Sequence, residues 1–436
     1  MTWNIITHVG STSAAAPLSD FNPRKTIEIR VDTPGTPAPE FRSNTMYNDL
    51  RHFTPTFTAP MLELMTAATA AYTADVRVPR TAAYDSWTRE LHLHLGVSSA
   101  SRWSQARETL QKLLAFLTGD HWTVSVTEIG ELPQPQMPTP RRLTRVTPEK
   151  VALFSGGLDS FVGALDLLAE GTSTVLCGHY GRGGPTGIAQ HTAINALRSH
   201  TGQNVPYIRY SIGARGGGNR ASEITTRGRS MIFLATGALT AEALGARTLV
   251  VPENGFISLN VPLTPARVGS FSTKTTHPHL MNLFQTLLQQ LGINVVLEAP
   301  YRFKTKGEVL RDSLDPAGVQ VALEATMSCA HPGASRFVTN EAHQHCGYCF
   351  PCLIRRAAVP HSDPTKYWLS PNASLSGTKA GDVRAVQVAL ARRVHRDVSM
   401  FDVLKPGPLP PEHRAAFVAL YNRGLDELSA MLGSVP

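Results

Sequence analysis

The hydrophobic and polar positions of the chain follow one pattern up to about residue 130 and another after about residue 150. In the first part, apolar and polar residues alternate in three runs, as half-buried strands require, at Thr26–Val31, Glu90–Leu95 and Trp122–Ile129. Two segments with apolar residues at helical spacing lie between these runs, at Met61–Tyr72 and Trp103–Leu117. Residues 1–130 are therefore predicted to form an α+β domain.

From Val151 onward, short apolar runs alternate with helical segments. Strands are predicted at Val151–Phe154, Thr174–His179, Val205–Tyr210, Thr248–Val251 and Val295–Leu297. Helices are predicted at Phe161–Leu168, Ile188–Ser199, Ser230–Leu244 and Leu280–Leu291. This alternation predicts an α/β domain over residues 148–360, built on a doubly wound parallel sheet with its ligand at the carboxyl ends of the strands.

Three further segments complete the predicted organisation. Residues 131–147 include Leu132-Pro-Gln-Pro-Gln-Met-Pro-Thr-Pro140, a composition typical of an extended linker. Residues 361–436 are predicted to form a helical C-terminal region, with helices at Val383–Val394 and Ala415–Met431. Asn260–Thr276 is a long polar loop without periodicity, and such loops in compact domains are often functional.

Composition and charge narrow the class of protein. Hydrophobic residues make up 42% of the 436 residues and charged residues 17%, as in folded soluble proteins. No run of about 18 apolar residues occurs, so no membrane span is expected. The N-terminus lacks the pattern of a signal peptide, which makes the cytoplasm the expected location. The net charge of +8 favours an anionic partner, with ATP the smallest candidate and nucleic acid left open.

The segment Val151-Ala-Leu-Phe-Ser-Gly-Gly-Leu-Asp-Ser160 joins the first strand of the α/β domain to its first helix. Two adjacent glycines let the backbone approach a phosphate chain, and the start of the helix offers free N–H groups to it. Ser155 and Ser160 add hydroxyl groups, and Asp159 is a candidate Mg²⁺ ligand. The pattern G-x-x-x-x-G-K-[ST] is absent, which excludes a P-loop NTPase. The predicted ATP-binding residues are Phe154, Ser155, Gly156, Gly157, Leu158, Asp159 and Ser160.

Four of the five cysteines are concentrated near residues 329–352. The spacing Cys329-x16-Cys346-x2-Cys349-x2-Cys352 supplies the four thiolates of a tetrahedral zinc site. An iron–sulfur cluster also accepts four cysteines, whereas a redox Cys-x-x-Cys would leave two of them unexplained. Zn²⁺ is the favoured prediction. Cys177 lies within an apolar run and is expected in the core.

The Ser155–Ser160 motif resembles the PP-loop of N-type ATP pyrophosphatases, which cleave ATP between its α- and β-phosphates. Together with the cysteine set, it resembles the 7-cyano-7-deazaguanine synthase (QueC) family over roughly residues 148–360. Local matches are Thr174–Gly181 to its D-Y-G motif, Gly228–Leu234 to G-R-N-x-x-F-L, and Phe303–Leu310 to L-x-x-x-T-K-x-E-I.

This resemblance implies a PP-loop, HUP-like fold with a zinc knuckle, and ATP and Mg²⁺ as cofactors. It places His179 and Tyr180 beside ATP. Arg229 and Lys306 are the candidate catalytic cations, next to Asp159 as the catalytic carboxylate.

The chain also departs from the family. The family loop that holds the deazapurine is replaced by Pro252–Arg267, in which only Asn254 and Arg267 carry over as candidate substrate-binding residues. His179 occupies the acidic position of the D-Y-G motif. About 145 residues before and 75 after the matched region are extra to the short form of the family. This extended architecture is most similar to the QueC-like proteins of the Qat antiphage defence systems.

The resemblance implies that ATP adenylates the carboxylate of a 7-carboxy-7-deazaguanine-like molecule, after which an amine attacks the acyl adenylate. Charge stabilisation on the leaving pyrophosphate would then be the main catalytic task. A ligase that joins the deazaguanine to an amine of a partner protein, in a defence system, is an alternative suggested by the altered loop and the added regions. A nucleotide sensor without turnover is another, suggested by His179. A PP-loop tRNA-modifying enzyme is the last, and would need a reactive cysteine near ATP. The sequence is also compatible with a homodimer.

Overall fold

The structure is a computed structural model that describes residues 2–9, 12–13, 22–31, 47–135, 137, 139–140, 143–144, 146–180, 185–214, 223, 225, 227–263, 274–333, 344–359, 363–370 and 377–433. Within these residues the strands are β1 Thr2–Val9, β2 Thr12–Ser13, β3 Thr26–Val31, β4 Glu90–Val97, β5 His121–Glu128, β6 Lys150–Leu153, β7 Thr174–His179, β8 Tyr207–Tyr210, β9 Thr248–Val250 and β10 Val296–Glu298.

The α-helices alternate with these strands and continue after them. They are α1 Ala59–Arg77, α2 Trp103–Thr118, α3 Leu158–Ala169, α4 Pro185–Thr201, α5 Arg229–Ala243, α6 Gly255–Leu259, α7 Pro278–Gln290, α8 Lys306–Arg311, α9 Pro316–Ala325, α10 Phe350–Ala358, α11 Gly381–His395, α12 Met400–Leu404 and α13 Arg414–Leu432. No helix in these ranges is both long and apolar enough to cross a bilayer.

The strands form two sheets. The first has the order β2-β1-β4-β5, with β3 also paired to β1, and its pairings are parallel except for the short β1–β2 hairpin. The second has the order β10-β9-β6-β7-β8 and is parallel throughout. The predicted doubly wound α/β sheet is thereby confirmed. The helices and strands expected in residues 1–130 are also present, and the structure adds that most of their strand pairs are parallel.

The central strand of the second sheet, β6, determines where a ligand can bind. Its neighbours β7 and β9 lie on opposite sides, and the chain leaves β7 and β9 in opposite directions, toward β8 and β10. Such a switch point opens a crevice at the carboxyl ends of the strands. The residues that follow β6 are the predicted PP-loop, so the sheet presents this motif at the expected edge.

One hydrophobic core joins both sheets. It contains Ile29, Leu93 and Trp103 from the N-terminal part together with Ile232 and Leu249 from the second sheet. Helix α2 packs on α7, and α1 packs on α5. A second core joins the C-terminal helices to the cysteine segment and to α6. The N-terminal and C-terminal regions therefore share apolar interfaces with the α/β unit.

Candidate active site

A cavity of about 360 Å³ lies at the carboxyl ends of the central strands. This volume is in the range of small-molecule sites. The predicted residues on its wall are Phe154, Ser155, Gly157, Leu158, Asp159, Ser160, His179, Arg229 and Lys306. The fold thus brings most of the predicted nucleotide residues and both candidate cations around one space.

The PP-loop is held in shape by its own hydrogen bonds. Gly156 has a φ of +79°, and a Cβ there would stand 3.0 Å from the backbone N of Gln190, so glycine is required. The Ser155 hydroxyl accepts from the Gly157 N–H (3.2 Å), and the Ser160 hydroxyl donates to the Gly157 carbonyl (2.9 Å). Helix α3 begins directly afterwards, and the first N–H groups of a helix have no intrahelical acceptor. The loop and the helix start are therefore a candidate anion site, although the N–H groups of Gly157 and Leu158 already donate to the hydroxyls of Ser155 and Ser328.

A buried ion pair lies at the base of the cavity. The Lys306 ammonium donates to Oδ1 of Asp159, and the side chain of Asn254 donates to Oδ2 at 2.7 Å. Only 5% of Asp159 and 3% of Lys306 are exposed. Glu253 also hydrogen-bonds to Asp159. Three separate connections, after β6, after β9 and at the start of α8, thus meet at one carboxylate.

The pKa values of the neighbouring carboxyl groups of Asp159 and Glu253 are shifted in opposite directions. Burial alone would raise the pKa of Asp159, but the charge of Lys306 and the hydrogen bonds from Glu253, Lys306 and Asn254 outweigh it and lower that pKa to about 2. Burial, followed by repulsion from Asp159, raises the pKa of Glu253 well above its usual value. Asp159 is therefore ionised at neutral pH, whereas the Glu253 carboxyl keeps its proton to a higher pH than an ordinary glutamate does.

Arg229 lines the cavity and carries a donor without a partner in the part of the chain that the structure describes. It is the first residue of α5, and its guanidinium lies 5.2 Å from the centre of the Phe233 ring. Its Nε is buried, and no hydrogen-bond acceptor for it occurs among the described residues. A buried donor without a partner is costly unless a ligand supplies the acceptor. A small movement of the side chain would let an anionic oxygen in the cavity satisfy it.

His179 and Tyr180 have different surroundings. His179 lines the cavity, and its Nε2 lies 2.7 Å from the Ile212 carbonyl. Burial lowers the pKa of His179 to about 4, with a further contribution from the charge of Arg229. The ring is therefore neutral and cannot replace the carboxylate of the family motif. The Tyr180 ring faces the Arg209 guanidinium at 5.2 Å instead of the cavity wall, and its role in ATP binding stays a prediction.

The two predicted substrate residues differ in what the structure describes. Asn254 is fully buried, and it caps α6 by accepting from the Ile257 N–H at 3.0 Å while donating to Asp159. It therefore positions the Asp159 carboxylate, and a direct contact with substrate stays a prediction. Arg267 lies outside the described residues.

Several wall residues were not predicted from the sequence. They are Phe233, Glu253, Met327 and Ser328. Glu253 follows β9 directly, so the rule that ligands bind at the carboxyl ends of strands could have indicated it. Ser328 is brought in by long-range contacts, for which the local sequence carries no signal. Thr275 and Thr276 also lie on the wall, and they belong to the polar loop Asn260–Thr276 that was predicted to be functional.

The four cysteines form a compact cluster beside the cavity. The Sγ atoms of Cys329, Cys346, Cys349 and Cys352 all lie within 4.8 Å of one another, and none is in a disulfide. Backbone N–H groups donate to these sulfurs, for example Cys349 to Cys346 at 3.3 Å. The donor set fits a tetrahedral metal site and is equally suited to Zn²⁺ or an iron–sulfur cluster.

Cys177 differs from the cluster. Its thiol is buried in the sheet, where burial raises its pKa to about 12. Although it borders the cavity, a thiol in this state is a poor nucleophile, since the thiolate is the reactive form.

Cys349→Ser should release the bound metal and destabilise the segment around α10, because a thiolate site contributes folding free energy directly. Elemental analysis and absorption spectra of wild type and variant would measure this and distinguish zinc from iron. Cys177→Ser is the control and should keep the metal. Wild-type protein containing neither metal would refute the predicted site.

Stability should depend on pH through His179. Its pKa is about 4 in the folded protein, compared with 6.5 for an unperturbed histidine of an unfolded chain, so only the unfolded state gains a proton as pH falls between these values. The free energy of unfolding should therefore drop by about 2 kcal/mol from this residue between about pH 7 and pH 5. Urea denaturation at both pH values would measure the drop, and His179→Gln should reduce it. An unchanged drop in this variant would contradict the assignment.

Part of this chain is similar in sequence to known enzymes. No protein-family profile matches the chain. The 7-cyano-7-deazaguanine synthase of Synechococcus sp. (strain CC9605) is 28% identical over 230 residues, which cover 48% of this chain and 91% of that enzyme. The synthase of Parasynechococcus marenigrum (strain WH8102) is 27% identical over 233 residues, with the same coverage of 48% and 91%.

Among solved structures, the U34-tRNA thiolase NcsA from Methanococcus maripaludis with its [4Fe-4S] cluster aligns with a TM-score of 0.27 and 11% identity, covering 66% of this chain and 75% of that one. A TM-score and a sequence identity of this size indicate neither a shared fold nor a shared function. Over about half of its length, the chain is a distant relative of the 7-cyano-7-deazaguanine synthases.

Proposed function

We propose that this chain uses ATP to activate the carboxylate of a 7-deazaguanine base and transfers the resulting acyl group to an amine. The observation that carries this proposal is the PP-loop cavity in which Arg229 offers a buried, unpartnered donor beside the Lys306–Asp159 pair. The two curated relatives, both 7-cyano-7-deazaguanine synthases, support the class of substrate.

The chemistry follows from the wall residues. A carboxylate oxygen of the substrate attacks the α-phosphorus of ATP, the bond between this phosphorus and the α,β-bridging oxygen breaks, and pyrophosphate leaves. The amine then attacks the acyl carbon, loses a proton, and displaces AMP. The N–H groups at the start of α3 and the Arg229 guanidinium stabilise the charge that develops on the leaving pyrophosphate.

The carboxylates and Lys306 have separate tasks. The carboxylates of Asp159 and Glu253 would supply oxygen ligands of the kind that Mg²⁺ prefers, with Glu253 giving up its proton on binding, and bound Mg²⁺ would neutralise phosphate charge. Asp159 holds the Lys306 side chain in place at the cavity wall, since the two groups form an ion pair in a buried environment. The aromatic and thioether groups of Phe154, Phe233 and Met327 form an apolar wall suited to a flat heterocycle.

Two kinds of acceptor amine are compatible with the proposal, a small-molecule amine and an amine of a partner protein. Small-molecule amine transfer corresponds to the activity that the relatives' names indicate. Transfer to an amine of a partner protein, in a Qat-like antiphage system, is supported by chain length, because the similarity to the relatives covers only 48% of this chain. Intact-mass measurement of co-expressed proteins, together with mass spectrometry of the free bases, would separate the two. A deazaguanine adduct on a protein supports protein transfer. Free amide product, or the nitrile that a second ATP-dependent removal of the amide oxygen would give, supports the small-molecule reaction.

The remaining alternatives have less support. A thiolase would need a reactive cysteine at ATP, whereas the pKa of Cys177 is raised and the other four cysteines form the cluster. A sensor without turnover is compatible with His179, but the complete PP-loop and the cavity cations favour chemistry.

Asp159→Asn should lower the rate of pyrophosphate release from ATP, in the presence of 7-carboxy-7-deazaguanine, by about 100-fold or more. The substitution removes the charge that pairs with Lys306. The matched control is Asp166→Asn on the same helix, because Asp166 bonds to Tyr301 and Ser313 outside the cavity. Circular dichroism would verify folding, and Asp159→Asn with Lys306→Met removes both buried charges if the single variant unfolds.

Retained activity in Asp159→Asn would remove this residue from the mechanism. Tight ATP binding without any pyrophosphate release by the wild type would instead support the sensor.

A further inference from the structure

The residues immediately before α5 are hydrogen-bonded to the N-terminal part of the chain. Asp75, near the end of α1, accepts a hydrogen bond from the Gly228 N–H at 2.8 Å and another from the Thr225 hydroxyl at 2.9 Å. Asp75 is fully buried. A carboxylate of residues 1–130 therefore satisfies the backbone immediately before Arg229.

Asp75 is itself held rigidly. Arg89 donates to its Oδ1 at 2.8 Å and to Asp120 at 2.6 Å, while also donating to the carbonyl of Val78. Arg80 donates to the same Asp120 at 3.0 Å. Charge-assisted hydrogen bonds in a buried network of this kind fix side-chain positions more firmly than surface pairs do.

Two further contacts join the same segment to the same region. The Glu223 carboxylate accepts from the Arg80 N–H at 2.7 Å. Arg227 donates to the Thr118 carbonyl at 2.9 Å, and its guanidinium lies 5.2 Å from the centre of the Trp87 ring. The described residues between 223 and 228 are thus anchored at several points to residues 75–120.

Arg229 follows this anchor directly and has little freedom to shift. A Cβ on Gly228 would stand 3.0 Å from the Asp75 Cβ and 3.1 Å from the Tyr72 Cα, so the start of α5 lies tightly against α1. The next residue, Ser230, is linked by its hydroxyl to Thr275, which lines the cavity, at 2.7 Å.

We propose that Asp75 is a positioning residue for Arg229, so that the N-terminal part of the chain is a component of the nucleotide site. The inference rests on the proposed function in so far as Arg229 acts on the phosphates of ATP. Residues 1–130 then have a role in the nucleotide site that the PP-loop motif alone does not indicate.

A double-mutant cycle tests this role. Gly228→Ala inserts a methyl group between α5 and α1, and Asp75→Asn weakens the acceptor. Each should lower kcat for pyrophosphate release by about tenfold while KM for ATP changes less, since a displaced Arg229 acts mainly on the leaving group. In an Arg229→Ala background, neither substitution should lower kcat further by more than about twofold. Additive losses in that background would overturn the proposal.

The control loosens the same helix pair at its other end. The Thr58 hydroxyl donates to Glu242 at 2.8 Å, where the N-terminus of α1 meets the C-terminus of α5. Thr58→Val removes this bond between the same elements, far along α5 from Arg229. Its kcat should remain near that of the wild type. A loss equal to that of Gly228→Ala would show that general packing, and not the position of Arg229, is responsible.

Hydrogen–deuterium exchange keeps the inference separate from the proposed function. Gly228→Ala should increase exchange over residues 229–236, and Thr58→Val should not. If the wild type releases no pyrophosphate, the proposed function fails, but this difference still supports the anchor. If exchange at the start of α5 is the same in wild type and Gly228→Ala, the anchor is wrong even in an active enzyme. Thr225→Val, which removes one donor to Asp75, serves as the milder variant should Asp75→Asn not fold.

Discussion

The buried contact between Asp159 and Lys306 is the constraint around which the active site is built. Two charges removed from water are tolerated only when they pair and their remaining hydrogen-bonding capacity is used. Asn254 and Glu253 complete the surroundings of Asp159, which therefore stays ionised inside the fold. Because the partners come from the ends of β6 and β9 and from the start of α8, the pair fixes three connections relative to one another.

Both cavity cations are held from outside the PP-loop sheet. The backbone before Arg229 is bonded to Asp75 of the N-terminal part. Lys306 begins α8, whose cap residue Thr305 donates to Glu427 of the C-terminal helix α13 at 2.5 Å. Asp75 of the N-terminal region thus orders the segment that carries Arg229. Glu427 of the C-terminal region orders the segment that carries Lys306.

The sequence was sufficient for features with a local signal. The strand Thr174–His179 has the predicted bounds, and the cysteine spacing led to four sulfurs within 4.8 Å. Strand β1 was missed because its four consecutive buried residues from Asn4 to Thr7 break the alternation on which the prediction relied. Glu253 and Asp75 were missed for another reason. Their importance comes from neighbours 94 and 153 positions away, which is 253 minus 159 and 228 minus 75, and no periodicity reports such pairing.

The metal cluster and the PP-loop are mechanically connected. Met327 donates its N–H to the Gly156 carbonyl at 3.0 Å, and Ser328 accepts from the Leu158 N–H at 3.4 Å. The next residue is Cys329, the distant ligand of the cluster. Behind this segment, the buried Arg355 of α10 donates to the Ser328 hydroxyl at 3.2 Å. A metal that joins Cys329 to the Cys346–Cys352 knuckle would therefore hold residues 327–329 in place. These residues in turn fix Gly156 and the first turn of α3. If ATP binds at this loop and turn as proposed, a cluster with no chemical step of its own would still determine how well ATP is bound.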